Sequence, residues 1–510
     1  MTSKQPPSHP SAMTQPLRIL ISVLIPVASW HRNSTGTSLL VALSWIILSS
    51  QGTKKLQLRT SHWPLISTIH LLSSNTNNHY DTELINSTSS RIPSPIDLHL
   101  SIDSISAELW LLGAIIYPGI VYSQHLERNK AQTSLPTIAL WIALLCILTR
   151  DLLSYIITLE ASLGPIYLSI IYSKRDTDQK KLEPTINAAI QLTIWTVLSS
   201  GPMILGTLII AILVGSTHTD ILSSRNLENE LENQLWWAIS ISMMIKLPTI
   251  PVHSWLPLAH TEASQQGSII LAAIILKLAV YGYLRFNIPV CQEAHEHNSA
   301  ILYTLSSTSL IYASILTIRQ LDLKRLIAYS SIAHMALVLA GIAIGSWNSL
   351  IGAMILSITH GISSALLFML VSQLYDRTHS RIIRYYRGLQ QAQPIWCSLF
   401  LGGTLLNMSM PGTGSFIAEV IILTDCIQES LEYGLIMSST IIWSGVYSLW
   451  TYTRMTQGSP SNQHNQRNQD LSQYELLICL PLLLQSLYIG LRPQALIESI
   501  QPITAMISHQ

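Results

Sequence analysis

An all-α, polytopic membrane bundle of about 14 transmembrane helices follows from three features of the sequence. Of its 510 residues 48% are hydrophobic and only 11% charged, apolar runs recur along nearly its whole length, and the separators between them alternate between basic and acidic. A soluble chain of this size needs a larger polar coat, whereas lipid-facing helices need none. Serine and threonine hold the mean hydropathy to +0.37. Inside helices their hydroxyls return to backbone carbonyls or bridge neighbouring helices, so they do not argue against a membrane.

In chain order, apolar segments fall at 17–30, 37–50, 61–74, 104–123, 136–149, 152–173, 186–214, 235–250, 267–286, 299–318, 326–345, 349–374, 394–424, 434–453 and 474–492. The first three are short and closely spaced, and one of them is expected to lie on the membrane surface. The first 80 residues hold no Asp or Glu but carry Lys4, Arg18, Arg32, Lys54, Lys55 and Arg59. That bias is transit-peptide-like; the expectation is nevertheless an uncleaved segment of a protein made inside its own compartment.

Loop charge tests the span count. Basic separators surround Arg128 and Lys130, Lys174 to Lys181, Arg319 to Arg325, and Arg377 to Arg387. Acidic ones hold Asp220 to Glu232, Glu293 with Glu296, and Asp425 to Glu432. Basic loops belong on the side that does not translocate. They all reach one face if 235–250 and 394–424 each cross once.

Those two segments carry helix breakers, Pro248 and Pro251 in the first and MPGTG at 410–414 in the second. Proline removes an amide donor and glycine loosens the backbone. Broken helices at matching positions point to two inverted five-helix repeats with ion sites at the breaks, although ordinary proline kinks would look similar. The organisation expected is divergent N-terminal helices over 1–132, a first repeat over 133–290, a second over 291–455, and a polar loop with a C-terminal helix over 456–510.

Ionisable residues inside such spans are costly and mark functional sites. Lys246 ends ISISMMIK just before the first break. Lys277 sits in the body of GSIILAAIILKLAVYGYL, too deep to snorkel easily. Glu160 in YIITLEASLGPIYL needs a partner, and Lys246 is the natural one. Losing that carboxylate makes a buried ammonium costly and drives its proton onward. His334 in IAYSSIAHMALVLA and His360 in SITHGISSALLFML can take and release protons near neutral pH, though a lone buried histidine is often a packing residue. Glu419 follows the second break in PGTGSFIAEVIIL.

Other charges carry blander expectations. Lys324 and Arg325 begin a span and should snorkel. DRTHSR at 376–381 reads as a solvated loop, and Arg150 with Asp151 as an interfacial pair. His253, His260 and Glu262 line a water entry or cap an interface. The five cysteines lie apart from one another and no nucleotide, flavin or haem fingerprint is present, so no cofactor or metal is expected in this chain. Membrane lipids and other membrane subunits are the expected partners, and nucleic acid is not.

At these residues the chain resembles the antiporter-like membrane-arm subunits of proton-pumping NADH:ubiquinone oxidoreductase, respiratory complex I. DLLSYIITLEASLGPIYL, IKLPTIPVHSWLPLAHTEA, GSIILAAIILKLAVYGYLRF, DLKRLIAYSSIAHM, THGISSALLFMLVSQLYDRTHSR and PGTGSFIAEVIIL carry the resemblance, in order, over about 150–425. Read from their places in the spans, Glu160, Lys246, Lys277, His334 or His360, and Glu419 form an ordered set for a proton path; the resemblance implies Glu160 and Lys246 as the ion pair, Lys277 as the central lysine and Glu419 as the terminal glutamate. Glutamate at 419 rather than lysine resembles the subunit 4 branch, and LAAIILKL the mitochondrial form. The implied setting is a multi-pass protein of the mitochondrial inner membrane beside antiporter-like subunits 2 and 5. NADH, FMN, iron-sulfur clusters and ubiquinone would be held by other chains of the complex.

The sequence departs from the family at Ser264, where proline is usual, at Ala279 and Val280 in place of a glycine pair, and at Gln191 in place of a common lysine. The Ser264 change puts loop rigidity in doubt. Two further readings stand beside the proton-translocating one: a subunit of a multi-chain cation/proton antiporter, and a non-pumping structural bridge.

Overall fold

A computed structural model describes residues 82–85, 100–126, 130–173, 179–225, 227–459 and 469–500. The apolar segments expected at 17–30, 37–50 and 61–74, and most of the polar loop after 457, lie outside the described residues. Almost all of the rest is helical. A short antiparallel pair is the exception: β1 (Thr82–Ile85) lies against β2 (Leu100–Ile102), with Thr82 opposite Ile102 and Glu83 opposite Ser101. Strands this short carry too little alternation to be read from sequence.

The first group of helices is α1 (Ser104–Leu126), α2 (Lys130–Leu148), α3 (Leu152–Ser173), α4 (Gln179–Val214) and the short α5 (Thr219–Ser223). The first broken span follows as α6 (Asn229–Lys246) and α7 (Trp255–Glu262). Next come α8 (Gln265–Val290), α9 (Gln292–Arg319), α10 (Leu323–Ile344) and α11 (Trp347–Thr378). After the short α12 (Leu389–Ala392), the second broken span is α13 (Pro394–Asn407) and α14 (Gly414–Glu429). The chain closes with α15 (Leu431–Thr456) and α16 (Gln473–Leu491). Eight of the described helices are long and apolar enough to cross a bilayer.

Some helices outrun their apolar segments. Expected at 299–318, α9 starts at Gln292 because its polar first turns are paired: the Ala294 amide donates to Glu232 and Asn298 to Asn233. Trp236 donates to His295 Nδ1 at 3.3 Å while His295 Nε2 sits 3.0 Å from the Ile342 carbonyl, which fixes that ring as a neutral clamp.

Two helices form the centre. The most apolar stretches of α8 and α11 are buried all round, whereas those of α4 and α16 are only 28% buried. A helix apolar on every side belongs in a bundle core. Exposed Ile194, Val197, Leu205 and Ile212 give α4 an outer face suited to lipid or to neighbouring membrane helices.

Candidate proton-path site

Both breaks leave backbone groups that a bilayer cannot satisfy, and side chains supply the partners. At the first break the Ile250 amide donates to Ser309 Oγ of α9 at 2.9 Å. The Thr249 hydroxyl returns to the Met244 carbonyl at 2.9 Å, and the Trp255 indole donates to the Ile245 carbonyl at 3.1 Å. Lys246 is thereby held on the last helical turn, and its Nζ lies 2.7 Å from Glu160 Oε1 of α3. The lysine side chain is 6% exposed and the glutamate 26%, so this ion pair reaches the surface of the chain through the glutamate.

Lys277 lies on α8 between two π-helical turns, Leu271–Ile275 and Tyr283–Asn287. Such turns interrupt the regular hydrogen-bond ladder and cluster at functional sites. The ammonium, 1% exposed, folds back on the Ala272 carbonyl at 2.7 Å and faces His360 Nδ1 of α11 at 2.8 Å. Gly361 allows that approach: a Cβ there would stand 3.1 Å from the Ala273 carbonyl and 2.8 Å from Leu112, forcing α11 away from the first π turn.

Beyond His360 the contacts continue. Its ring centroid is 5.4 Å from that of His334 on α10, and His334 Nδ1 lies 3.3 Å from Glu419 Oε1 of α14. The same oxygen accepts from Ser409 Oγ at 2.6 Å. Lysine, two imidazoles and a carboxylate, each capable of holding or giving up a proton, thus stand in succession across four helices. Among the described residues no direct hydrogen bond joins this series to the Glu160–Lys246 pair.

Five expectations are corrected, the last of them at His260. Lys324 does not snorkel: it is buried, with Nζ 3.0 Å from the Ala263 carbonyl and 3.4 Å from Ser268 Oγ, while Arg325 points outward. Arg150 and Asp151 do not pair with each other. Asp151 turns back to cap α3 through the Ser154 amide, and Arg150 reaches Asp220 at 3.5 Å and Asp103 at 3.8 Å. In the 376–381 stretch, Arg377 binds Glu475 of α16 at 2.6 Å and Arg381 sits 3.5 Å from Asp322, so these charges fasten helix ends. Ser264 keeps its loop ordered in another way, capping α8 by accepting from the Gly267 amide at 3.2 Å.

His260 lines no surface. It is fully buried, stacked on Phe368 at 4.6 Å, and neither ring nitrogen has a hydrogen-bond partner. Glu262 accepts from Thr185 at 2.8 Å. Gln191, at the position noted for lysine in relatives, has a buried Oε1 with no hydrogen-bond partner. Among the described residues no group of three or more His, Cys, Asp and Glu side chains could hold a metal ion, and all five cysteines are free and buried.

Sequence reasoning missed Lys324 and Ser409. A cation on the first turn of a helix stands against the helix dipole, which signals that Lys324 needs acceptors elsewhere. For Ser409 no signal existed in sequence.

A family model described as NADH:quinone oxidoreductase/Mrp antiporter, TM, matches residues 149–443, the stretch that holds every residue of the relay and the ion pair. The chain belongs to this family. The NADH-ubiquinone oxidoreductase chain 4 of Marchantia polymorpha is 36% identical over 423 residues, covering 82% of this chain and 84% of that one. That of Metridium senile is 35% identical over 413 residues, covering 79% and 82%. Within the family the chain therefore stands with the chain 4 proteins. A chain in the structure titled respiratory complex I from Thermus thermophilus with bound NADH shares the fold, with a TM-score of 0.83 at 22% identity over 93% of this chain and 99% of that one. One in the Mrp complex of Dietzia sp. DQ12-45-1b does so with a TM-score of 0.75 at 15% identity, covering 96% and 98%.

Proposed function

We propose that the chain is a proton-translocating membrane-arm subunit of a mitochondrial NADH:ubiquinone oxidoreductase, with redox chemistry carried by other chains. Antiporter-like subunits 2 and 5 are its proposed neighbours in the inner membrane. The observation that carries the reading is the succession Lys277, His360, His334, Glu419 in the core, in direct polar contact at its two ends, with the two imidazoles 5.4 Å apart between centroids and His334 Nε2 left without a hydrogen-bond partner. The 2.8 Å contact between Lys277 and His360 suits direct proton exchange. A proton leaving the ammonium for Nδ1 makes His360 a cation, which loses its other ring proton toward His334, and the path ends on the Glu419 carboxylate. Glu160 holds Lys246 charged beside the first break, and releasing it is the proposed switch. Each charge moved against the membrane potential requires about 2.3 kcal/mol per 100 mV, work that distant quinone reduction supplies.

The test is NADH-driven proton uptake into sealed vesicles by complex carrying Lys277→Met, with assembly checked on native gels. Uptake is expected to fall at least about tenfold, the scale of losing one positioned proton-transfer group. Full uptake by an assembled Lys277→Met complex would leave the chain as a structural bridge. Sodium-dependent transport without NADH oxidation would instead identify a cation/proton antiporter.

A further inference from the structure

Ser409 lies in the second break with φ of 55°, one of two non-glycine residues in the left-handed region among the described residues. A side chain there strains the backbone, which glycine would avoid. The same break uses glycine at Gly412, φ 95°. A serine kept at the strained position therefore contributes through its side chain, and that side chain has one prominent contact. The residue is 6% exposed, and its hydroxyl donates to Glu419 Oε1 at 2.6 Å across ten residues of chain.

We infer that Ser409 is a positioning residue for Glu419, holding the carboxyl group toward His334 whether or not it carries a proton. The inference rests on the proton-path reading above. A hydroxyl both donates and accepts. With Glu419 ionised, Ser409 donates to Oε1; with the proton on that carboxyl oxygen, the acid donates to Ser409 Oγ and the hydroxyl hydrogen turns away. No purely apolar or purely donating side chain could serve both states.

The backbone is arranged to hold this hydroxyl in place. The Ser409 amide donates to the Leu406 carbonyl at 3.2 Å, the Met410 amide to Leu405 at 3.1 Å, and Ser415 Oγ to Leu406 at 2.9 Å. The break is thus pinned to the last turn of α13 while its hydroxyl reaches α14. The titratable groups facing Glu419 are His334 of α10, with His360 of α11 behind it, and Tyr447 of α15.

The test compares Ser409→Gly, Ser409→Ala and Glu419→Gln in the assembled complex. Glycine relieves the backbone and removes the whole CH2OH group, while alanine keeps the Cβ and removes only the hydroxyl, so the two together separate backbone strain from the lost hydrogen bond. Both Ser409 variants are expected to lower proton uptake per NADH about threefold or more and to displace the pH midpoint of coupled turnover by about half a unit or more. Adding Ser409→Gly to Glu419→Gln is expected to change nothing further, because the two act as one unit. Wild-type uptake and pH profile in Ser409→Gly, with Glu419→Gln inactive, would overturn the assignment and leave the proton path standing. Unchanged uptake in Glu419→Gln would overturn both.

Discussion

The Glu160–Lys246 pair and the Lys277–His360–His334–Glu419 series are both buried sets of ionisable groups, yet they are built for different work. In the first, opposite charges meet at 2.7 Å, one partner is partly exposed at the chain's surface, and the lysine closes a helix at a break. In the second, nearly every contact is between groups that can each be neutral, and none is more than about 6% exposed. An ion pair holds its proton, because removing it from the ammonium leaves the buried carboxylate uncompensated; a row of groups that can each bind and release a proton can pass one along. Under the proposed function, the first region serves control and the second conduction.

The contrast can be broken most directly at His360. His360→Phe leaves Lys277 with the Ala272 carbonyl as its remaining acceptor, and proton uptake in the assembled complex should fall about tenfold or more. Gly361→Ala sharpens the same point without touching a titratable group. The added methyl presses on the Ala273 carbonyl and Leu112, which should cost about 1–3 kcal/mol of stability and, by separating Lys277 from His360, lower uptake several-fold. Uptake equal to wild type in an assembled Gly361→Ala complex would show that the 2.8 Å contact is dispensable.

Smaller effects belong to the controlling region. Glu160→Gln keeps an acceptor beside Lys246 but removes the charge, so uptake should fall only about threefold while NADH oxidation persists. A loss as deep as that of His360→Phe would merge the two regions into one conductor. Ser264→Ala should cost about 1 kcal/mol through the lost helix cap and leave uptake unchanged, read by thermal unfolding of the purified complex.

Much of this contrast was legible in the sequence. Lys246, Lys277, Glu160 and Glu419 stood out because a charge inside an apolar run has no inexpensive place to go, and the Glu160–Lys246 contact was expected because a buried lysine can keep a buried carboxylate ionised. Both breaks were visible as Pro248, Pro251 and Pro411 with their glycines. What was not legible was tertiary. The order His360 before His334 depends on helix packing, which the spacing of single histidines does not encode. The two π turns flanking Lys277 arise in a run of ordinary apolar residues. Lys324 begins a helix as a snorkelling lysine would, and only the approach of Ala263 and Ser268 turns it inward.

The second break is closed by a later part of the chain. Gly490 of α16 packs so tightly on it that a Cβ would stand 2.2 Å from the Gly412 carbonyl, and Ile489 lies against Gly414. During synthesis, α13 and α14 therefore enter the membrane well before the helix that covers their junction exists. Until α16 inserts, the polar elbow beside Glu419 lacks this cover, and a product truncated before α16 would leave the second break open to the membrane interior.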